Sequence, residues 1–384
     1  MQHERIAARL EAAFRRNFDS GLEVGAAVSV WRGEEEIVSV VGGFRDVGES
    51  EPWCPETLVL IWSATKGLAA ACAVHALAAA DLDLQDSVAT IWPEFAQAGK
   101  EQVTFAHVLS HGAGLGALDQ SGLSMVSYEE VIAAIEKQRP IFPVGLGTGY
   151  GPRTFGFIAD EIVRRATGGL PLGDYWRRHF AEPMALDLWI GTPSNEHHRI
   201  ARMIAPRFSP SDGDFAQAMA DPNSHTRRAF SSPAGMASVS AMNSAEARSL
   251  AFPSLGAIGS ARGLAKFYAM LANGGTWRGE TFFSSQEMTK IMTRLSQGFD
   301  HVLRCDTAFS TGFMLDPLDP DGKKIRNTMG PSLAAFGHPG AGGSLAFADP
   351  ENGIAFAYVM NQMQAGVLPS ERALALVRAI YDDE

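Results

Sequence analysis

Ser63 and Lys66 are the residues whose types and spacing speak most directly of chemistry. They stand in Leu58-Val59-Leu60-Ile61-Trp62-Ser63-Ala64-Thr65-Lys66-Gly67-Leu68-Ala69-Ala70-Ala71-Cys72, an apolar run that passes into an Ala/Leu-rich segment reaching about Ala80. The pattern predicts a loop or strand end that delivers Ser63 to the first turn of a buried helix. Residues at i and i+3 share a helix face, so the Lys66 amine can sit beside the Ser63 hydroxyl in a nearly dry setting. Burial lowers a lysine pKa, and a neutral lysine can take a serine proton. Of the seven lysines, only Lys66 has a serine three positions before it. The plainer alternative is a Ser63 N-cap with a solvated first-turn lysine. Two features oppose it: the flanks are too apolar for a surface helix, and a lysine at a helix start faces the wrong end of the dipole.

Composition narrows the classes of function. The chain has 384 residues, 46% hydrophobic and 20% charged, enough for one large domain or two with a sizeable core. A net charge of −11 disfavours nucleic acid and anionic membranes as partners. The N-terminus opens an amphipathic helix with Ile6, Leu10, Ala13 and Phe14 on one face and shows no hydrophobic signal core. No apolar run approaches the ~18 residues of a membrane span. Cys54, Cys72 and Cys305 are few and scattered, which suits a reducing cytoplasm and makes no zinc site. No cofactor is called for, and oligomeric state leaves no mark.

The elements that must position Ser63 follow from periodicity. Val24 to Trp31 and Glu36 to Val41 read as a hairpin. Helices are expected after the Thr104 cap up to Ser110-His111, and over Tyr128 to Lys137, Phe155 to Ala166 and Leu172 to Phe180. Residues 205–250 lack a strong period and read as loops. Ser260 to Ala272 and Ser284 to Arg294 read as helices. Strands return at Ser310 to Leu315, Ala335 to Gly337, Leu345 to Ala348 and Ile354 to Met360, and Ser370 to Tyr381 is a last helix. Strands at both chain ends with helices between imply an α/β (α+β) fold. One antiparallel sheet is built from both ends and flanked by helices, with an inserted mainly helical region. The expected division is 1–85 with 251–384 as an α/β domain, 86–250 as the helical one, and the site between them.

The central stretch and three later segments resemble the serine hydrolases of the class C β-lactamase and penicillin-binding-protein superfamily, above all its esterase branch, the family VIII carboxylesterases. Ser63-Ala64-Thr65-Lys66 matches the first motif. Tyr150-Gly151-Pro152 occupies the place of the second, and His338-Pro339-Gly340 that of the third, before Gly342-Gly343-Ser344. Leu109-Ser110-His111-Gly112-Ala113-Gly114-Leu115 is similar to a further family segment. Four segments in order cover essentially the whole chain.

The resemblance implies a β-lactamase-like fold and a Ser63 acyl-enzyme. Lys66 or Tyr150 would take the proton, with the Tyr150 pKa lowered by the nearby cation. The backbone N–H groups of Ser63 and Ala341 would form the oxyanion hole. His338, Gly340, Trp62 and Pro152 would contact substrate, a small-molecule ester. Two departures oppose β-lactam hydrolysis: Pro152 lacks the lactamases' side-chain amide, and His338, only partly charged, replaces their lysine. Among other residues, His107 and His111 lie one helical turn apart but lack a third ligand in sequence. Met219, Phe230, Met236, Met242 and Phe252 could wall an acyl pocket.

Overall fold

The computed structural model describes residues 2–207, 213–236 and 238–381. Its backbone is an eight-stranded antiparallel sheet assembled from the two chain ends. The strands are β1 (Gly25–Arg32), β2 (Glu35–Gly43), β3 (Ser296–Phe299), β4 (Asp306–Phe309), β5 (Met314–Leu315), β6 (Phe336–Pro339), β7 (Leu345–Asp349) and β8 (Ile354–Met360). Their order across the sheet is β2-β1-β8-β7-β6-β5-β4-β3.

Period-2 alternation explains why both faces are covered. In β8, Ile354, Phe356, Tyr358 and Met360 pack into one core with Ile6, Leu10, Ala13 and Phe14 of helix α1 (Gln2–Asp19). Helix Glu371–Tyr381 closes the same face. The alternate residues Ala355, Ala357 and Val359 belong to the second, larger core. Small side chains there let helix Ala261–Ala272 approach the sheet closely.

Helix α2 (Thr65–Ala79) lies inside that second core. Leu68 to Ala73 are completely buried, the behaviour of a helix that is apolar on every side. It packs against helix Thr154–Ala166. A second sheet joins Val59–Leu60, Ala257–Gly259 and Leu188–Ile190. It fixes the approach to Ser63, because the Ile61 N–H donates to Ala257 O at 3.0 Å.

The hairpin, the helix Tyr128–Lys137 and the last strand lie where periodicity puts them. Two stretches differ. Residues 205–250 are not plain loops: the described part carries four short helices, Asp214–Ala220, His225–Ser231, Val239–Met242 and Ala245–Ser249. Three of them start at serine N-caps, Ser224, Ser238 and Ser244, and none is long enough to show an apolar stripe. Positions 208–212 and 237 of that stretch lie outside the described residues. Ser310 to Leu315 is not one strand, since Ser310 to Phe313 form the tight turn that joins β4 to β5. Among the described residues no helix is long and apolar enough to cross a membrane.

Candidate active site

Ser63 sits in a one-turn 3-10 segment, Trp62–Ala64, between the short strand Val59–Leu60 and α2. The turn is strained: Trp62 adopts φ +50°, a left-handed conformation that costs a non-glycine residue ~1–3 kcal/mol. Its neighbours hold it there. Thr65 Oγ1 donates to Trp62 O at 2.5 Å, and Ser344 Oγ donates to Ile61 O at 3.1 Å. Ser63 and Trp62 stay half-buried while Lys66 behind them is wholly buried.

Lys66 Nζ lies 3.3 Å from Ser63 Oγ, 3.2 Å from Pro152 O and 2.8 Å from Ser254 O. Both carbonyls only accept, so two N–H bonds of Lys66 are committed to them. The third tetrahedral position of the nitrogen points at Ser63. Burial pushes the Lys66 pKa well below its ordinary value, and no carboxylate counters it. Once deprotonated, the amine keeps its two hydrogens on the carbonyls and turns its lone pair toward the Ser63 hydroxyl.

Tyr150 completes the cluster. Its ring lies under Lys66 Nζ, 4.7 Å from the centroid, and its hydroxyl hydrogen-bonds the Ser63 hydroxyl. The expected lowering of its pKa does not occur. Burial pushes the phenol up; the Ser63 hydrogen bond acts downward, and the Asp300 charge adds to the rise. Tyr150 is thus a protonated phenol.

The loop that carries Tyr150 is braced from two sides. The Leu109–Leu115 segment supplies one: His111, at φ +61°, accepts from Gly151 N–H through Nδ1 at 3.2 Å, and its carbonyl accepts from Gly149 N–H at 3.0 Å. Asp300 supplies the other. Both of its carboxylate oxygens accept from the Tyr150 N–H, at 3.2 and 3.1 Å. It also accepts from Val302 N–H and Leu303 N–H, each at 2.8 Å, and from Thr307 Oγ1 at 3.3 Å.

The third motif forms the opposite wall. Gly340 cannot carry a side chain, because a Cβ there would stand 2.2 Å from Ile61 O and 2.1 Å from Ser344 Oγ. This close approach sets the half-buried Ala341 beside the Ser63 turn. Among the described residues, neither the Ala341 N–H nor the Ser63 N–H donates to a protein acceptor; Ser63 is free because the first amides of a helical turn have no partner within it. Buried Arg372 supports the loop from beneath, donating to Gln362 O at 2.9 Å and Gly342 O at 3.4 Å while paired with Glu23 at 2.8 Å.

His338 is buried against Tyr150, with ring centroids 6.0 Å apart. It does not carry the partial charge expected of it. Burial first, then Lys66, pushes its pKa down to about 3, the bond to Pro339 O only partly opposing them. Pro152 contributes its carbonyl to Lys66. His107 and His111 do not converge: His107 Nδ1 folds back on Thr104 in a capping box, whereas His111 turns to Gly151. Of the five residues considered for an acyl wall, Met242 and Phe252 belong to the larger core with Met236 packed against it, Phe230 packs on Phe215 at 5.6 Å, and Phe252 lines a cavity of about 150 Å³ with Met125, Gly156 and Phe157.

Sequence reasoning missed three residues, each of which works through a backbone group. Asp300 holds the Tyr150 amide. Ser254 offers Lys66 its carbonyl. Buried Arg153 donates to Phe230 O at 2.9 Å and to Pro233 O and Gly235 O, each at 2.8 Å, tying the 225–236 segment to the Tyr150 loop. Only Arg153 had a signal, its place directly after the second motif.

The Beta-lactamase family model matches residues 14–379. The chain belongs to that family. It is 31% identical over 372 residues to the esterase/beta-lactamase LipL of Mycobacterium tuberculosis, covering 94% of this chain and 82% of LipL. A penicillin-binding-protein homologue from Caulobacter crescentus superposes with TM-score 0.88 at 34% identity, covering 98% of this chain and 97% of that one. The crystal structure of a family VIII carboxylesterase superposes with TM-score 0.87 at 33% identity, with the same coverage. Family membership makes the chain a serine hydrolase with the β-lactamase-like fold.

Proposed function

We propose that this hydrolase is a serine carboxylesterase acting on short-chain acyl esters, with Ser63 as nucleophile. The observation that carries the reading is the setting of Lys66: it is wholly buried, two carbonyls take two of its N–H bonds, and its third position faces Ser63. Likeness to LipL and to the family VIII carboxylesterase supports the ester as substrate class.

Ser63 Oγ attacks the ester carbonyl while its proton moves to Lys66 Nζ. The Ser63 and Ala341 N–H groups receive the developing oxyanion. As the tetrahedral intermediate collapses, the C–O bond to the alcohol breaks and the leaving oxygen takes the Tyr150 proton. Lys66 then reprotonates Tyr150. A water repeats the sequence on the acyl-enzyme and releases the acid. Tyr150 is suited to this relay because it remains a protonated phenol, so the base is Lys66. His338, Gly340, Trp62 and Pro152 border the site; of these the half-buried Trp62 is the one placed to touch substrate.

A β-lactam is a poor fit. Its carboxylate finds neutral, buried His338 where the lactamases have a cation, and Pro152 has no amide to hold the acyl group. The lactam's leaving amine also stays tethered, whereas an alcohol departs and makes room for water. We further assign the site to the junction of two parts, 1–85 with 251–384 and 86–250. Ser63 and Ala341 belong to the first and Tyr150 to the second. The scattered cysteines favour a cytoplasmic setting.

The test is a side-by-side measurement of kcat/KM for p-nitrophenyl butyrate and nitrocefin. The reading expects ready turnover of the ester and slow or no turnover of nitrocefin. A nitrocefin value equal to or above that of the ester overturns it.

A further inference from the structure

Two imidazoles pack on Tyr150, those of His111 and His338, with ring centroids 5.0 and 6.0 Å from it. The bond made by one nitrogen of each ring sets its tautomer. Gly151 N–H donates to His111 Nδ1 at 3.2 Å, so that nitrogen holds the lone pair and the proton sits on Nε2. His338 Nδ1 lies 2.7 Å from Pro339 O, which can only accept, so its proton sits on Nδ1 and Nε2 holds the lone pair. Burial, the largest cause in each case, pushes both pKa values down.

Both Nε2 atoms are buried without a protein partner. One is a donor lacking an acceptor and the other an acceptor lacking a donor, and a buried orphan of either kind is costly. A buried water requires two to four polar partners, and these two Nε2 atoms supply one donor and one acceptor.

We propose that His111 and His338 hold one buried water between them, accepting from His111 Nε2–H and donating to His338 Nε2, and that this bridge fixes the Tyr150 ring with its hydroxyl on Ser63. The two histidines are positioning residues and take no proton from substrate. The charged and titratable groups around them are Lys66, Asp300 and Tyr150. Only the kinetic part of the test rests on the esterase reading.

The first experiment is long-range ¹H–¹⁵N correlation on the labelled, full-length protein. It should show His111 as the Nε2–H tautomer and His338 as the Nδ1–H tautomer, both neutral from about pH 8 to about pH 5. The opposite tautomer at either residue, or an imidazolium in that range, overturns the proposal whatever the activity. In His338→Leu the His111 Nε2–H resonance should shift, since its bridge has lost the far acceptor; an unmoved resonance counts against the bridge. With p-nitrophenyl butyrate, His338→Leu should lower kcat about tenfold with KM nearly unchanged, and His338→Gln, which restores an acceptor oxygen, should recover most of it. Equal losses in the two variants, or a change confined to KM, contradict it. If the leucine variant does not fold, the wild-type tautomers decide.

Discussion

Asp300→Ala should damage both stability and turnover, although Asp300 touches neither Ser63 nor Lys66. The carboxylate is fully buried and accepts from the Tyr150, Val302 and Leu303 amides and from the Thr307 hydroxyl. Alanine leaves three buried N–H groups without an acceptor, at ~1–3 kcal/mol each, while the Thr307 hydroxyl can turn elsewhere. Part of that loss is offset because the mutant no longer buries a carboxylate, whose pKa burial pushes up. The net expectation is a loss of ~3–5 kcal/mol, the three orphaned N–H groups less the desolvation relieved. Asp300→Asn keeps one oxygen for the amides and should lose only ~1–2 kcal/mol. Turnover should fall ~10²-fold in the alanine variant, because the Tyr150 backbone is free to shift relative to Ser63. Urea unfolding at neutral pH gives the stability, and p-nitrophenyl butyrate kinetics on the folded fraction gives kcat. An alanine variant within ~1 kcal/mol of wild type and within twofold in kcat would refute the reasoning.

Three further outcomes follow from the same geometry. Lys66→Ala and Tyr150→Phe should each cut kcat by roughly three orders of magnitude, and the double variant should be scarcely worse than either, since they serve one proton network; additive losses would mean separate roles. Gly340→Ala should lower kcat ~10²–10³-fold, because a Cβ 2.2 Å from Ile61 O must push the Ala341 N–H off the oxyanion position; wild-type kcat would place the oxyanion donors elsewhere. Lys66 can accept a proton only as the free amine, and burial places its pKa well below the ordinary 10.5. Activity is therefore lost as pH falls through the lowered pKa and complete above it, so kcat/KM should rise to a plateau with a midpoint far below that of a solvated lysine. A midpoint near 10 would show that Lys66 is a cation in the resting enzyme.

Much of the fold was legible because burial writes a period into the chain. Helix Tyr128–Lys137 and strand Ile354–Met360 were readable to the residue, one from its apolar stripe and the other from an unbroken β-rich run. The Ser63–Lys66 contact was readable because i, i+3 spacing brings the two side chains together and the flanking apolar residues betray the burial. Asp300 and Ser254 were not, since they serve the site through a backbone amide and a backbone carbonyl, and any sequence position has those. The same holds for Arg153, whose three acceptors are carbonyls of a segment nearly eighty residues later. The short helices between 214 and 249 escaped because one or two turns are too few for an apolar period, although their serine caps stood in plain view. The direction of the Tyr150 shift was misjudged by weighing the neighbouring amine and leaving out burial, which lowers the amine's pKa and raises the phenol's together.

The most direct test of the central claim is active-site labelling. Wild-type protein is incubated with a fluorophosphonate, followed by intact mass and peptide mapping. The account predicts a single adduct on Ser63, blocked by prior incubation with an ester substrate and absent from a folded Ser63→Ala variant. An adduct on another residue, or none on protein that hydrolyses p-nitrophenyl butyrate, would contradict it.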